Sequence, residues 1–149
     1  MKTRRLRPIL AVLCVCALAG CASKAPDAPT PAALDSAVVN ASFDDAWQAV
    51  RQALSDKQFA IDTRDKRGIF VAYEQTRRRF LTPHRTKYTI VLESITAEST
   101  QVTVEAKDQH YKVTLLTYPA WQDTPKQLDG QGAEILLAIE NVLSTGTES

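Results

Sequence analysis

From Val102 to Lys107 the chain reads Val-Thr-Val-Glu-Ala-Lys, apolar and polar residues in strict alternation. Successive side chains on a strand point to opposite faces, so Val102, Val104 and Ala106 share one face and Thr103, Glu105 and Lys107 the other. Such a segment asks for an antiparallel sheet with one face buried and the other wet. Its neighbours fit the same plan. Tyr88, Ile90 and Leu92 are expected inward on the preceding strand. Tyr111, Val113 and Leu115 either continue the alternating strand past a bulge or form a fifth one. Further upstream, Phe59 and Ile61 alternate with Ala60 and Asp62. Asp65-Lys66-Arg67-Gly68 then reads as a hairpin turn, with Gly68 free to take positive φ. The strand after it, Ile69 to about Gln75, is expected to turn Ile69, Val71 and Tyr73 inward.

Two helices supply the cover. Ser42 is a good N-cap, and Asp44 and Asp45 sit in the first turn, where the helix dipole favours negative charge. Phe43, Ala46, Trp47, Val50 and Leu54 then recur at helical spacing as one apolar stripe, which Ser55-Asp56-Lys57-Gln58 ends. Near the C-terminus, Thr124-Pro125 reads as an N-cap followed by proline at the first helical position. Leu128, Ile135, Leu136, Ile139, Val142 and Leu143 make the second stripe, while Gly130 and Gly132 weaken its start and put the alternative beginning near Ala133. The expected architecture is α+β, a two-layer sandwich over residues 42–144. An antiparallel sheet of four to five strands carries both helices on one face. Residues 145–149 remain as a tail.

The start of the chain has a different character. Lys2, Arg4, Arg5 and Arg7 precede an unbroken apolar run of eleven residues, Ile9 to Ala19, too short for the roughly 20 that span a bilayer. Leu18-Ala19-Gly20-Cys21 closes it and matches a bacterial lipoprotein signal. The resemblance implies cleavage before Cys21, with the thiol carrying a diacylglycerol, and so a membrane partner through that lipid. Ala22 after Cys21, by the commonest sorting rule, implies export to the outer membrane, with the domain in the periplasm. Loss of residues 1–20 leaves 14 basic against 17 acidic residues, a net charge of −3, without the basic character of a nucleic-acid binder. Cys14 and Cys16 leave with the signal, and Cys21 is taken by lipid, so no disulfide, thiolate nucleophile or cysteine metal ligand is expected. Residues 22–40, rich in Ala and Pro, read as a disordered tether with a reach of roughly 25 Å.

Trp47, Leu54, Phe59, Ile61, Asp65, Gly68-Ile69, Val71 and Tyr73 together resemble the helix–strand–turn–strand opening of the helix-grip domains in BamC (NlpB) lipoproteins. Those are accessory subunits of the outer-membrane β-barrel assembly machine. The resemblance covers about residues 42–115 and the C-terminal helix, and it implies a helix-grip-like fold that works by protein contact. BamC carries two such domains and a long N-terminal partner-binding segment, and that contact does not transfer to one domain on a short leash.

Little in the chain looks like catalysis. His84 and His110 are the only histidines and have no ligand spacing, so no metal is expected. No serine has a histidine–acid setting, no phosphate-cradling glycine loop exists, and no cofactor or enzymatic activity is expected. Two stretches stand out instead. Arg77-Arg78-Arg79-Phe80-Leu81, with Arg85 and Lys87 beyond, puts a basic, sticky hairpin tip on an acidic domain. Tyr118-Pro119-Ala120-Trp121 reads as an aromatic loop whose Trp121 serves as a lid over the core or as an exposed anchor. Arg77, Arg78, Arg79, Phe80, Leu81, Arg85 and Trp121 are therefore the expected partner-binding residues, and Cys21 the lipidated one. The expected function is protein–protein contact in envelope assembly. A small-ligand or lipid carrier with a cavity between helix and sheet is the alternative.

Overall fold

In a computed structural model, residues 34–74, 77–79, 82–115, 117–126 and 128–146 are described. The signal, Cys21 and most of the expected tether lie outside them, as do Phe80 and Leu81. Strand β1 (Leu34–Val39) leads into helix α1 (Phe43–Asp56), then β2 (Ala60–Asp65) and β3 (Ile69–Tyr73). A short β4 (Arg77–Arg79), the long β5 (Thr82–Thr96) and β6 (Ser99–Thr114), and β7 (Thr117–Asp123) follow. Helix α2 (Gln131–Gly146) ends the described chain. All seven strands join one antiparallel sheet in the order β1-β6-β5-β3-β2. The count among the described residues exceeds the expected four to five because Leu34–Val39 adds β1 along β6, β4 pairs with β5 beyond the end of β3, and β7 pairs with β6 beyond the end of β1. The α+β two-layer arrangement is the one the alternation asked for.

The covered face is built from Phe70 and Ala72 on β3, Tyr88, Ile90 and Leu92 on β5, and Val102, Val104 and Ala106 on β6, all buried. Register lines them up across the sheet, with Phe70 beside Ile90 beside Val104 and Ala72 beside Tyr88 beside Ala106. Against them α1 buries Ala46, Ala49, Val50, Ala53 and Leu54, and α2 buries Ile135, Leu136 and Ile139. Trp47 is half-buried at the margin, its ring centre 5.2 Å from that of Phe70 and its indole N–H donating to the Asp65 carbonyl at 3.0 Å. Phe59 stacks on Tyr88 at 5.1 Å.

Local signals set the helix ends. The Ser42 hydroxyl accepts from the Asp45 N–H at 3.2 Å, as an N-cap should. At the far end Gln58 takes φ 58°, with Gln58 N–H donating to Ser55 and Phe59 N–H to Leu54. That is a Schellman closure, built here on a residue with a Cβ. At the β2–β3 turn Gly68 has φ 99°, and a Cβ there would stand 2.6 Å from the Leu92 carbonyl oxygen. Glycine is required at that point on both counts.

Four expectations are corrected. First, Leu34–Val39 is a strand and not part of a disordered tether, so the fold begins well before Ser42. β1 pairs along β6 and buries Val39, and that tertiary contact outweighs a weak local signal. Second, β3 turns Phe70 and Ala72 inward instead of Ile69, Val71 and Tyr73. Ile-Phe-Val-Ala-Tyr is apolar at every position, so alternation has no say, and a slip of one residue exchanges the faces. Third, α2 starts at Gln131, close to the alternative beginning near Ala133 and not at Thr124-Pro125. Thr124 instead ties the end of β7 to β6, its N–H donating to the Asp108 carbonyl at 2.8 Å and its hydroxyl to the Asp108 carboxylate at 2.9 Å. The helix is capped from outside by Asp35 of β1, whose carboxylate accepts from the Ala133 N–H at 3.2 Å. Gly132 leaves room for it, since a Cβ there would stand 2.5 Å from an Asp35 carboxylate oxygen. Fourth, Arg77–Arg79 and Tyr118–Trp121 belong to strands β4 and β7 and not to loops.

Candidate functional site: the open face of the sheet

Alternation that buries one face must expose the other. Among the described residues that face away from the helices only Gln109 is buried. No helix among the described residues covers this face. Near β1 the exposed Leu34 and Val38 flank a polar pair, with Ser36 and Thr103 hydroxyls 3.2 Å apart and Gln101 donating to Ser36. Towards β7 it changes character.

There Arg85 of β5 extends its guanidinium between two rings. Its central carbon lies 3.8 Å from the ring centre of Tyr73 on β3 and 4.2 Å from that of Trp121 on β7. Tyr73 is a diagonal neighbour of Arg85 across the β3–β5 pair, whereas Trp121 stands beyond the intervening β6 and is met by the long Arg85 side chain and its own large ring. Arg85 Nε–H donates to Gln109 Oε1 at 2.8 Å, and Gln109 Nε2–H passes the link to the Asp123 carboxylate at 2.7 Å. Tyr111, directly opposite Trp121, meets its ring edge-on at 5.4 Å. Lys107 next along the same face holds Glu105 at 2.8 Å, and that hydrogen bond keeps the Lys107 ammonium charged to higher pH than usual. The result is a fixed aromatic–guanidinium patch with its polar groups already oriented. A guanidinium on an aromatic face is held by the ring quadrupole while its edge still offers N–H donors.

Two of the residues expected at a partner surface, Arg85 and Trp121, are thus brought into one cluster. Trp121 is not a lid over the core, since it stands on the face opposite the helices. By sequence Tyr118–Trp121 reads as a loop, where strand alternation gives no face, and β7 supplies one. Arg77, Arg78 and Arg79 lie on β4, opposite His84, Pro83 and Thr82, so their strand runs beside the start of β5. Tyr73, Gln109 and Asp123 are not among the expected partner-binding residues. Tyr73 was hidden by the ambiguous phase of β3, and Gln109 and Asp123 carry no motif of their own.

Elsewhere, His84 and His110 face each other across β5 and β6 with ring centres 6.1 Å apart. His84 Nδ1 is 3.7 Å from the Asp108 carboxylate that already accepts from Thr124. Among the described residues no three His, Cys, Asp or Glu side chains converge as metal ligands. The space between helices and sheet is packed with the fully buried Phe70, Leu54, Ile90, Ile135 and Ile139. An open groove of about 770 Å³ lies to one side, between Asn40, Gln48, Gln52, Glu140 and Leu143.

No protein-family model matches this chain, and no curated protein is found to be similar to it.

Proposed function

We propose that this chain is a lipid-anchored, non-enzymatic docking protein of the bacterial outer membrane, acting by protein–protein contact in envelope assembly. The observation that carries the reading is the open sheet face with Arg85 fixed between Tyr73 and Trp121. Tyr, Trp and Arg are the residues most often found at the energetic centres of protein interfaces. A patch already ordered before binding loses little side-chain entropy when a partner closes over it. The lipobox ending in Cys21 supplies the anchor, and the resemblance to the BamC helix-grip domains supplies the setting.

A photo-crosslinking residue placed at Thr89, in the middle of the open face, tests this in living cells. The expected product is one discrete adduct with an envelope protein, lost when Arg85→Ala and Trp121→Ala are added. The same probe at Glu140 on α2 should give no such adduct. An adduct that forms only from the helical side, or one that survives the double substitution, would overturn the reading.

A further inference from the structure

The topology brings two hairpin tips to the same end of the sheet. β4 turns into β5 there, with Arg79 opposite Thr82, and β6 turns into β7, with Thr114 opposite Thr117. The second tip is unusually apolar for a surface turn. Leu115 is 99% exposed, Tyr118 95% and Val113 70%. Eight large apolar side chains are exposed among the described residues, and these three fall within six consecutive positions. Single exposed hydrophobes need no explanation, but a cluster at one tip does.

Charge at this end is equally uneven. Residues 75–92 and 109–122, the two segments that reach it, contain no Asp or Glu and carry Arg77, Arg78, Arg79, Arg85, Lys87 and Lys112. The chain beyond residue 20 is net acidic, so this end of the sheet is positive against the overall charge. Apolar side chains and a tyrosine rimmed by basic residues match the layers of a membrane surface. Acyl chains take the Leu and Val, the headgroup level takes the Tyr, and anionic phosphates take the Lys and Arg.

We infer that this end of the sheet docks on an anionic phospholipid bilayer, with Leu115, Tyr118 and Val113 entering the interface beside Lys112, and with the arginine-bearing strand β4 at the same end. The direction of β1 agrees. β1 runs antiparallel to β6, with Leu34 opposite Glu105 and Val39 opposite Thr100, so the chain enters Leu34 from the side of the tips. From Glu105 to Leu115 is ten residues of strand, about 33 Å. The thirteen-residue step from Cys21 to Leu34 spans at most about 45 Å. This last argument rests on the proposed lipid anchor; the composition of the tips does not. Lipid and tips can then meet one bilayer, which would stand the sheet on its end and keep the patch around Arg85 close to the membrane.

An environment-sensitive dye at Leu115→Cys, compared with the same dye at Ile95→Cys, tests the inference on purified protein reconstituted into vesicles. Ile95 is exposed at the opposite end of β5, and Cys21 is common to both variants, so the difference between them reports the tip alone. In vesicles containing phosphatidylglycerol the Leu115 dye should shift to the blue and the Ile95 dye should not. In phosphatidylcholine alone neither should shift fully. Each basic residue near an anionic surface contributes about a fivefold factor, so Arg79→Glu with Lys112→Glu should lower the ratio of inserted to free tip by about twenty-five-fold or more. A Leu115 dye that stays in water on both vesicles, or a shift matched by Ile95, would overturn the inference. So would a tip that is dry only in native membranes, which would mark a protein contact. Palmitate incorporation into the same preparation reports separately on the anchor, so its failure is distinguishable from failure of the tips to dock.

Discussion

The two faces of the β5–β6 hairpin are made by the same backbone, yet they differ in what they ask of their residues. On the covered face Tyr88, Ile90, Leu92, Val102, Val104 and Ala106 are interchangeable in kind: any set of apolar side chains of the right volume would close against α1 and α2. On the open face position is everything. Arg85, Gln109 and Asp123 form one hydrogen-bonded line, and Tyr73 and Trp121 flank the first of them. Burial holds the first face together and placement defines the second. Substitutions should therefore separate stability from binding according to the face they touch.

The largest effect should come from the covered face. Phe70 is fully buried, and Phe70→Ala should cost about 3–5 kcal/mol, read as a lowered denaturation midpoint with an unchanged slope. Trp47→Ala should approach the same range, because the indole packs on Phe70 and loses its bond to the Asp65 carbonyl. If Tyr73→Ala, one strand position from a buried neighbour but on the other face, costs as much as Phe70→Ala, the contrast fails.

Next comes the contact that joins the first strand to the last helix. Asp35→Ala removes an N-terminal cap and should cost about 1 kcal/mol. Gly132→Ala should not show the usual gain of glycine-to-alanine in a helix, because its Cβ would displace the Asp35 carboxylate. A melting temperature raised by Gly132→Ala would show that the cap is dispensable.

Trp121→Ala should sharpen the comparison from the other side. The lost stack on Arg85 is worth about 0.5–2 kcal/mol, small against Phe70→Ala, while the crosslinked adduct from the open face should disappear. Gln58→Gly acts on neither face. It relieves a left-handed residue at the end of α1 and should raise stability by about 0.5–1 kcal/mol in a denaturant titration.

The smallest effect is a pH dependence at the β2–β3 turn. The Arg67 side chain, which donates to Asp65 at 2.7 Å, holds the Asp65 carboxyl below its ordinary value. A depressed carboxylate stabilises the fold above its unfolded pKa, and that contribution is lost as pH falls through the folded one. Arg67→Ala should lower stability slightly above about pH 4 and make no difference in stronger acid, where the unsubstituted protein has already lost the contribution. A loss of the same size at about pH 2 as at neutral pH would refute the assignment.

What the sequence determined by itself was everything fixed within one turn or one strand. Ser42 caps α1 because its hydroxyl reaches an N–H three residues on. Gly68 makes the β2–β3 turn because few other residues accept that φ, and β6 faces the helices with Val102, Val104 and Ala106 because polar neighbours mark its phase. Tertiary structure decided what depends on residues far away in the chain. Leu34–Val39 is a strand because β6 offers an edge more than sixty residues later, and α2 starts where Asp35 can cap it rather than at the local signal of Thr124-Pro125. The phase of β3 was chosen by Trp47 and Ile90 around Phe70, since an all-apolar strand carries no mark of its own. The cluster of Tyr73, Arg85 and Trp121 was out of reach for the same reason. Each residue was visible alone, but their meeting is a property of strand register, which pairing across the whole sheet sets and no short window of sequence contains.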